Sequence, residues 1–176
     1  MKKSIVNEFK ISTKDIVIIA ILSAILFIQE QVLFFLPNVQ LTMLFVVLYS
    51  KKIGCTRSIF TIFVYVLLDN IASGYFNILW VIFMFIGWSI VPIMLNTLFK
   101  RVNNVILLSL LSGLFSFVYC WCLVIPGSII MQKDIITYLK MDIIWELMVA
   151  TSSIVSVLLL YYPLSKFIDK NRYFRY

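Results

Sequence analysis

Hydrophobic positions along this chain gather into six runs, Ile16 to Leu36, Leu41 to Tyr49, Ile59 to Gly74, Ile78 to Phe99, Val105 to Ile130 and Ile143 to Phe167. All but the second are long enough to cross ~30 Å of hydrocarbon as a helix. The polar interruptions carry turn chemistry: Leu36-Pro37-Asn38, Lys51 to Arg57, Ser73-Gly74 and Arg101 to Asn104. Pro92 lies inside the fourth run and predicts a kink. Pro126-Gly127 predicts a break in the fifth, so that span ends at residue 127 and Ser128 to Met141 becomes a loop or interfacial segment. The expectation is an all-α, six-helix membrane bundle: one domain over residues 1–176, with spans at 16–36, 41–49, 59–74, 78–99, 105–127 and 143–167.

Charge orients that bundle. Lys2, Lys3, Lys10, Lys14, Lys51, Lys52, Arg57, Lys100, Arg101, Lys166, Lys170, Arg172 and Arg175 fall on one side, whereas Lys133 and Lys140 fall on the other. The positive-inside rule then places both termini in the cytoplasm, with an even number of passes. The four lysines ahead of the first apolar run resemble a secretory leader. That run continues past Ser23-Ala24 to Leu36, which predicts an uncleaved first helix.

Composition narrows the classes further. With 62% hydrophobic residues and a mean hydropathy of +1.04, the chain is expected in a plasma membrane, and the reading is of a prokaryotic one. The net charge of +7 sits at helix ends, where it matches an anionic inner leaflet, so no nucleic-acid partner is expected. Cys55, Cys120 and Cys122 form neither a CxxC pair nor an even disulfide set and read as packing residues. The chain has no histidine, which removes HExxH zinc sites and Ser-His dyads, and it has no Gly-rich phosphate loop. The expectation is a protein that is not an enzyme, holds no metal or cofactor, and relies on a separate ATPase if it uses ATP.

Acids inside the apolar runs point to a site, because a charge in a bilayer costs a few kcal/mol and marks a ligand or ion contact unless it snorkels to the surface. Glu30, Asp69, Asp142 and Glu146, with Asp134, all belong to the half opposite the basic loops. Amides and aromatics share that layer: Gln29, Gln31, Gln40, Asn70, Asn77, Tyr75, Phe76, Trp80, Trp121 and Trp145. Singly, each Trp or Tyr fits an interfacial belt. Jointly they predict an aromatic-walled cavity with a few placed polar groups. The candidate substrate-binding residues are Glu30, Gln40, Asp69, Asn70, Tyr75, Asn77, Trp80, Trp121, Asp142, Trp145 and Glu146. The surplus of acid without a basic partner predicts a neutral or cationic ring compound over an acidic one.

At the other end of the first run, Ala20, Ser23 and Ala24 form a small-residue strip suited to close helix approach, from a partner or within the bundle. Ala20-Ile21-Leu22-Ser23-Ala24, Leu36-Pro37-Asn38-Val39-Gln40-Leu41, Leu48-Tyr49-Ser50-Lys51-Lys52-Ile53-Gly54, Tyr65-Val66-Leu67-Leu68-Asp69-Asn70 and Met141-Asp142-Ile143-Ile144-Trp145-Glu146 follow one another in order. In that set the chain resembles the S components of energy-coupling factor (ECF) transporters, small six-helix membrane proteins that bind vitamins or related micronutrients. The resemblance implies capture of a small heterocycle from outside, and partnership with a transmembrane coupling subunit and two cytoplasmic ATPases. It also implies that Ala20, Ser23 and Ala24 face the coupling subunit. Two other readings stay open: a self-sufficient, gradient-coupled transporter using the buried carboxylates as relays, and a membrane-embedded lipid-modifying enzyme using Asp69, Asp142 and Glu146.

Overall fold

A computed structural model describes residues 11–36, 39–74 and 76–170. The lysines at 2, 3 and 10, the Pro37-Asn38 turn, Tyr75, and Arg172 and Arg175 lie outside the described residues. Six helices follow one another: α1 (Thr13–Leu33), α2 (Thr42–Lys52), α3 (Cys55–Ala72), α4 (Ile78–Asn96), α5 (Val105–Ile130) and α6 (Ile135–Lys170). Five of them are long and apolar enough to span a membrane, and the many fully exposed Ile, Leu and Phe side chains on their outer faces suit lipid rather than water. This is a helical membrane protein. Helix α2 is the exception, since its 11 residues rise only about 16 Å.

The short helix is the centre of the bundle. Met43, Leu44, Val46, Val47, Leu48 and Tyr49 are all buried, and α2 packs on α1, α3, α4, α5 and α6. It starts deep inside because the segment after α1 turns back into the protein. The Gln40 N–H donates to Ser152 Oγ, which donates in turn to the Gln40 carbonyl, both at 3.2 Å, and Ser152 lies halfway along α6. A helix beginning at that depth leaves amide donors that water cannot satisfy. Buried Gln29 of α1 supplies a partner there: its Oε1 accepts from Leu41 N at 3.0 Å and its Nε2 donates to Thr42 Oγ1 at 2.7 Å.

Polar contacts gather one end of every helix. Ser12 caps α1 in a capping box with Asp15, and Asp15 also pairs with Arg57 of α3 at 2.7 Å. Lys52 pairs with Asp169 near the end of α6 at 2.6 Å. Lys51 Nζ donates to the carbonyl of Phe99, just after α4, at 2.8 Å. The start of α1, the α2–α3 link, the end of α4 and the end of α6 therefore share one basic end. Gly54 makes the α2–α3 link tight, with φ +85° in the left-handed region that side chains disfavour.

Helices α5 and α6 form the longest interface. It is lined by small hydroxyl residues: Ser116 Oγ donates to Ser153 Oγ at 2.8 Å and Ser112 Oγ to the Ser153 carbonyl at 3.2 Å. Gly113 faces Ile154 so closely that a Cβ would stand 2.7 Å from it. Small residues let the two backbones approach, as in other membrane helix pairs.

Two expectations are corrected here. Pro126-Gly127 does not break the fifth helix, which continues to Ile130. Ser128 to Met141 is consequently no loop: only residues 131–134 link the helices, and α6 begins at Ile135 rather than near Ile143. A proline in mid-helix removes one hydrogen bond, whereas an unwound segment at the hydrocarbon edge would expose several backbone groups. Continuation is the smaller cost. Pro92 and Pro163 likewise sit inside continuous helices.

Candidate functional site

At the end away from the basic contacts, a cavity of about 530 Å³ opens between α1, the α1–α2 segment, α4, α5 and α6. Helical phase explains which residues reach it. On α6, Tyr138, Asp142, Trp145, Glu146 and Val149 follow the 3.6-residue repeat that also carries Ser153 into the α5 interface, and all five line the cavity. On α5 the inward face marked by Ser112 and Ser116 continues to Tyr119, Cys120 and Leu123, which line it too. Helix α1 contributes Glu30 and Leu33, the following segment Leu36, Val39 and Gln40, and α4 contributes Trp80.

Of the sequence-derived candidates, Glu30, Gln40, Trp80, Asp142, Trp145 and Glu146 converge on this cavity. Asn77 serves it indirectly. Its Oδ1 accepts from Leu79 N at 2.9 Å and Trp80 N at 3.2 Å, capping α4 and fixing the turn that presents Trp80. Trp121 is more than half exposed on the outer face of α5, yet its indole N–H reaches Glu146 Oε2 at 3.3 Å. Asn70 turns away, donating to the Val66 carbonyl at 2.8 Å and lying against Met84 Sδ. Asp69 is half-buried on α3, one turn beyond Tyr65, and does not line the cavity. Tyr75 lies outside the described residues.

Tyrosines that the sequence reading passed over shape much of the wall. Tyr65 of α3 donates to Glu30 Oε2 and so anchors the α1 carboxylate from behind. Tyr119 stacks on Trp88, ring centroids 4.1 Å apart. Each of the two cavity-lining tyrosines, Tyr119 and Tyr138, rests on a glycine: a Cβ on Gly87 would stand 2.9 Å from the Tyr119 ring, and one on Gly127 would stand 2.4 Å from the end of Tyr138. The usable signal was phase, since Tyr119 lies one turn from the inward Ser116 and Tyr138 one turn from Asp142.

Electrostatically the cavity is one-signed. Glu30, Asp142 and Glu146 line it, and no Lys or Arg does among the described residues. Outside it, Asp134 accepts from Thr137 N at the start of α6 at 2.8 Å, and that bond holds its carboxyl below the usual carboxylate range.

The small-residue strip divides. Ser23 is buried between α1 and α3, its hydroxyl donating to the carbonyls of Ile19 at 2.8 Å and Thr61 at 2.9 Å. Ala20 is exposed and Ala24 half-buried, on the outward side with Ile16, Val17, Ile21 and Ile28. The strip is therefore part internal contact and part outer surface.

Comparison with known proteins gives no match: no family model, no curated protein and no solved structure aligns with this chain.

Proposed function

We propose that this chain is the substrate-binding subunit of an ECF-type transporter, capturing a small heterocyclic micronutrient and delivering it with a coupling subunit and two ATPases. The observation that carries the proposal is the cavity of about 530 Å³ with aromatic and carboxylate walls, set at the end of the bundle remote from the basic residues. Its volume and mixed lining suit a vitamin-sized ring compound. In this reading the basic end faces the cytoplasm of a prokaryotic cell, both termini are inside, and the second pass is made by the inturned segment after α1 together with α2. Ala20 and Ala24, on the exposed side of α1, would meet the coupling subunit.

The deciding experiment has two parts. Small molecules that co-purify with the detergent-solubilised chain are identified by mass spectrometry, and uptake of the identified compound is measured with and without a coupling subunit and ATPase pair. Binding by the chain alone, with uptake only when the module is present, supports the proposal. Gradient-driven uptake by the isolated chain in liposomes would transfer the assignment to a self-sufficient transporter. That alternative draws on the contact between Tyr65 and Glu30, which puts a relay-competent hydroxyl behind a cavity carboxylate.

A further inference from the structure

We infer that the occupant of this cavity is an organic cation, a planar ring carrying a positive charge or a charged amino group, and that Glu146 with Asp142 receives the charge. The inference rests on reading the cavity as a ligand site and adds the ligand's charge and polarity to it. Glu146 is only 1% exposed. One carboxylate oxygen takes the Trp121 indole N–H at 3.3 Å, while the other, Oε1, is buried without a hydrogen-bond partner. Buried carboxylate oxygens are nearly always satisfied, and one left open inside a cavity wall is a vacancy for a donor that the ligand brings.

The surroundings select the kind of donor. Asp142 lies one turn before Glu146 on the same face of α6 and lines the same cavity, and Glu30 faces it from α1. No basic side chain among the described residues lines the wall, and the chain contains no histidine. An anion would meet three acids in poorly screened surroundings, whereas a cation is attracted by all of them. A bare metal ion is a poor fit, because no group of three or more Asp, Glu, Cys or His stands close enough to hold one among the described residues. The walls are instead broad and aromatic, with Trp80, Tyr119, Tyr138 and Trp145 offering ring faces to a cationic ring. Glu30 already accepts the Tyr65 hydroxyl, so the open acceptor is on α6 and the ligand's charge points there.

The test uses the full chain in nanodiscs of zwitterionic lipid and three ring compounds of one shape and different charge: 1-methylnicotinamide (cation), nicotinamide (neutral) and nicotinate (anion). Binding is read by tryptophan fluorescence and calorimetry. The cation should bind about tenfold or more tighter than nicotinate, with nicotinamide between them. Glu146→Gln should bring the cation down to the level of nicotinamide, Asp142→Asn should bring it part of the way, and Asp134→Asn, at the same end but outside the cavity, should leave it unchanged. Nicotinate binding as tightly as the cation would overturn the inference from wild-type protein alone. So would a cation affinity that survives both α6 substitutions. Failure of the transport reading looks different: cation binding would follow the predicted order, but no uptake would appear with the coupling module.

Discussion

Replacing Gly127 by alanine should damage the cavity from behind its wall. The added Cβ would lie 2.4 Å from Tyr138 Cζ and Oη and 2.7 Å from Cε2, whereas carbon atoms rest about 3.5–4.0 Å apart. The ring must therefore shift by roughly 1 Å or more. Tyr138 is 9% exposed and lines the cavity, so its easiest displacement is into the space a ligand would use. In an unconstrained helix, glycine to alanine stabilises by about 1 kcal/mol. Overpacking of this kind costs about 1–3 kcal/mol, so the net effect should be a loss of up to about 2 kcal/mol. Ligand affinity should fall by about tenfold. Unfolding in mixed micelles and calorimetric titration measure the two effects. Tyr138→Ala supplies the control: in that background Gly127→Ala should become neutral or stabilising. Equal destabilisation in both backgrounds would refute the reasoning, because the cost would then not arise from the tyrosine.

Further outcomes follow from other contacts. Gln29→Leu, which removes the partners of Leu41 N and Thr42 Oγ1, should cost about 1–3 kcal/mol in the same unfolding assay, more than Gln31→Leu on the exposed side of α1. Gly54→Ala should destabilise by about 1–2 kcal/mol although no atom lies within 4 Å of the new Cβ, because φ +85° is strained for any side chain; an unchanged unfolding midpoint would contradict this. Ala20→Trp and Ala24→Trp, on the outward side of α1, should preserve binding by the isolated chain and abolish uptake with the coupling module, and normal uptake by both would remove α1 as the docking face. In a background lacking the native cysteines, Lys133→Cys should react with a membrane-impermeant thiol reagent on intact cells and Lys100→Cys should not, with the reverse result inverting the orientation.

Membrane residence and the separation of basic from acidic ends were legible in the chain because they depend on quantities that add up along it. A run of about 20 apolar residues has a fixed reach as a helix, and Lys and Arg count by loop rather than by contact. Cavity membership was legible in part. Acids and large aromatics are conspicuous in hydrocarbon, so Glu30, Trp80, Asp142, Trp145 and Glu146 could be picked out without knowing which way they point. Direction was the missing information. Asn70, Asp69 and Trp121 look equivalent to those residues in composition, yet their helices turn them toward Met84, the α3 flank or the outer surface.

Other features belong to the tertiary structure alone. The depth at which α2 begins depends on Gln29 and Ser152, residues about 12 and 112 positions from the atoms they bind, and no local pattern announces such a pairing. The persistence of α5 through Pro126 reflects the surroundings, in which unwinding would strand more backbone groups than the proline does. The seats of Tyr119 and Tyr138 exist because Gly87 and Gly127 face them across helix interfaces, and the open oxygen of Glu146 exists because only Trp121 reaches it from α5. Hydropathy and charge determine that this chain lies in a membrane and which of its ends differ, since both are sums over neighbours in sequence. The relative rotation of packed helices determines which of its polar groups share a cavity, since rotation is set by contacts between residues far apart in the chain.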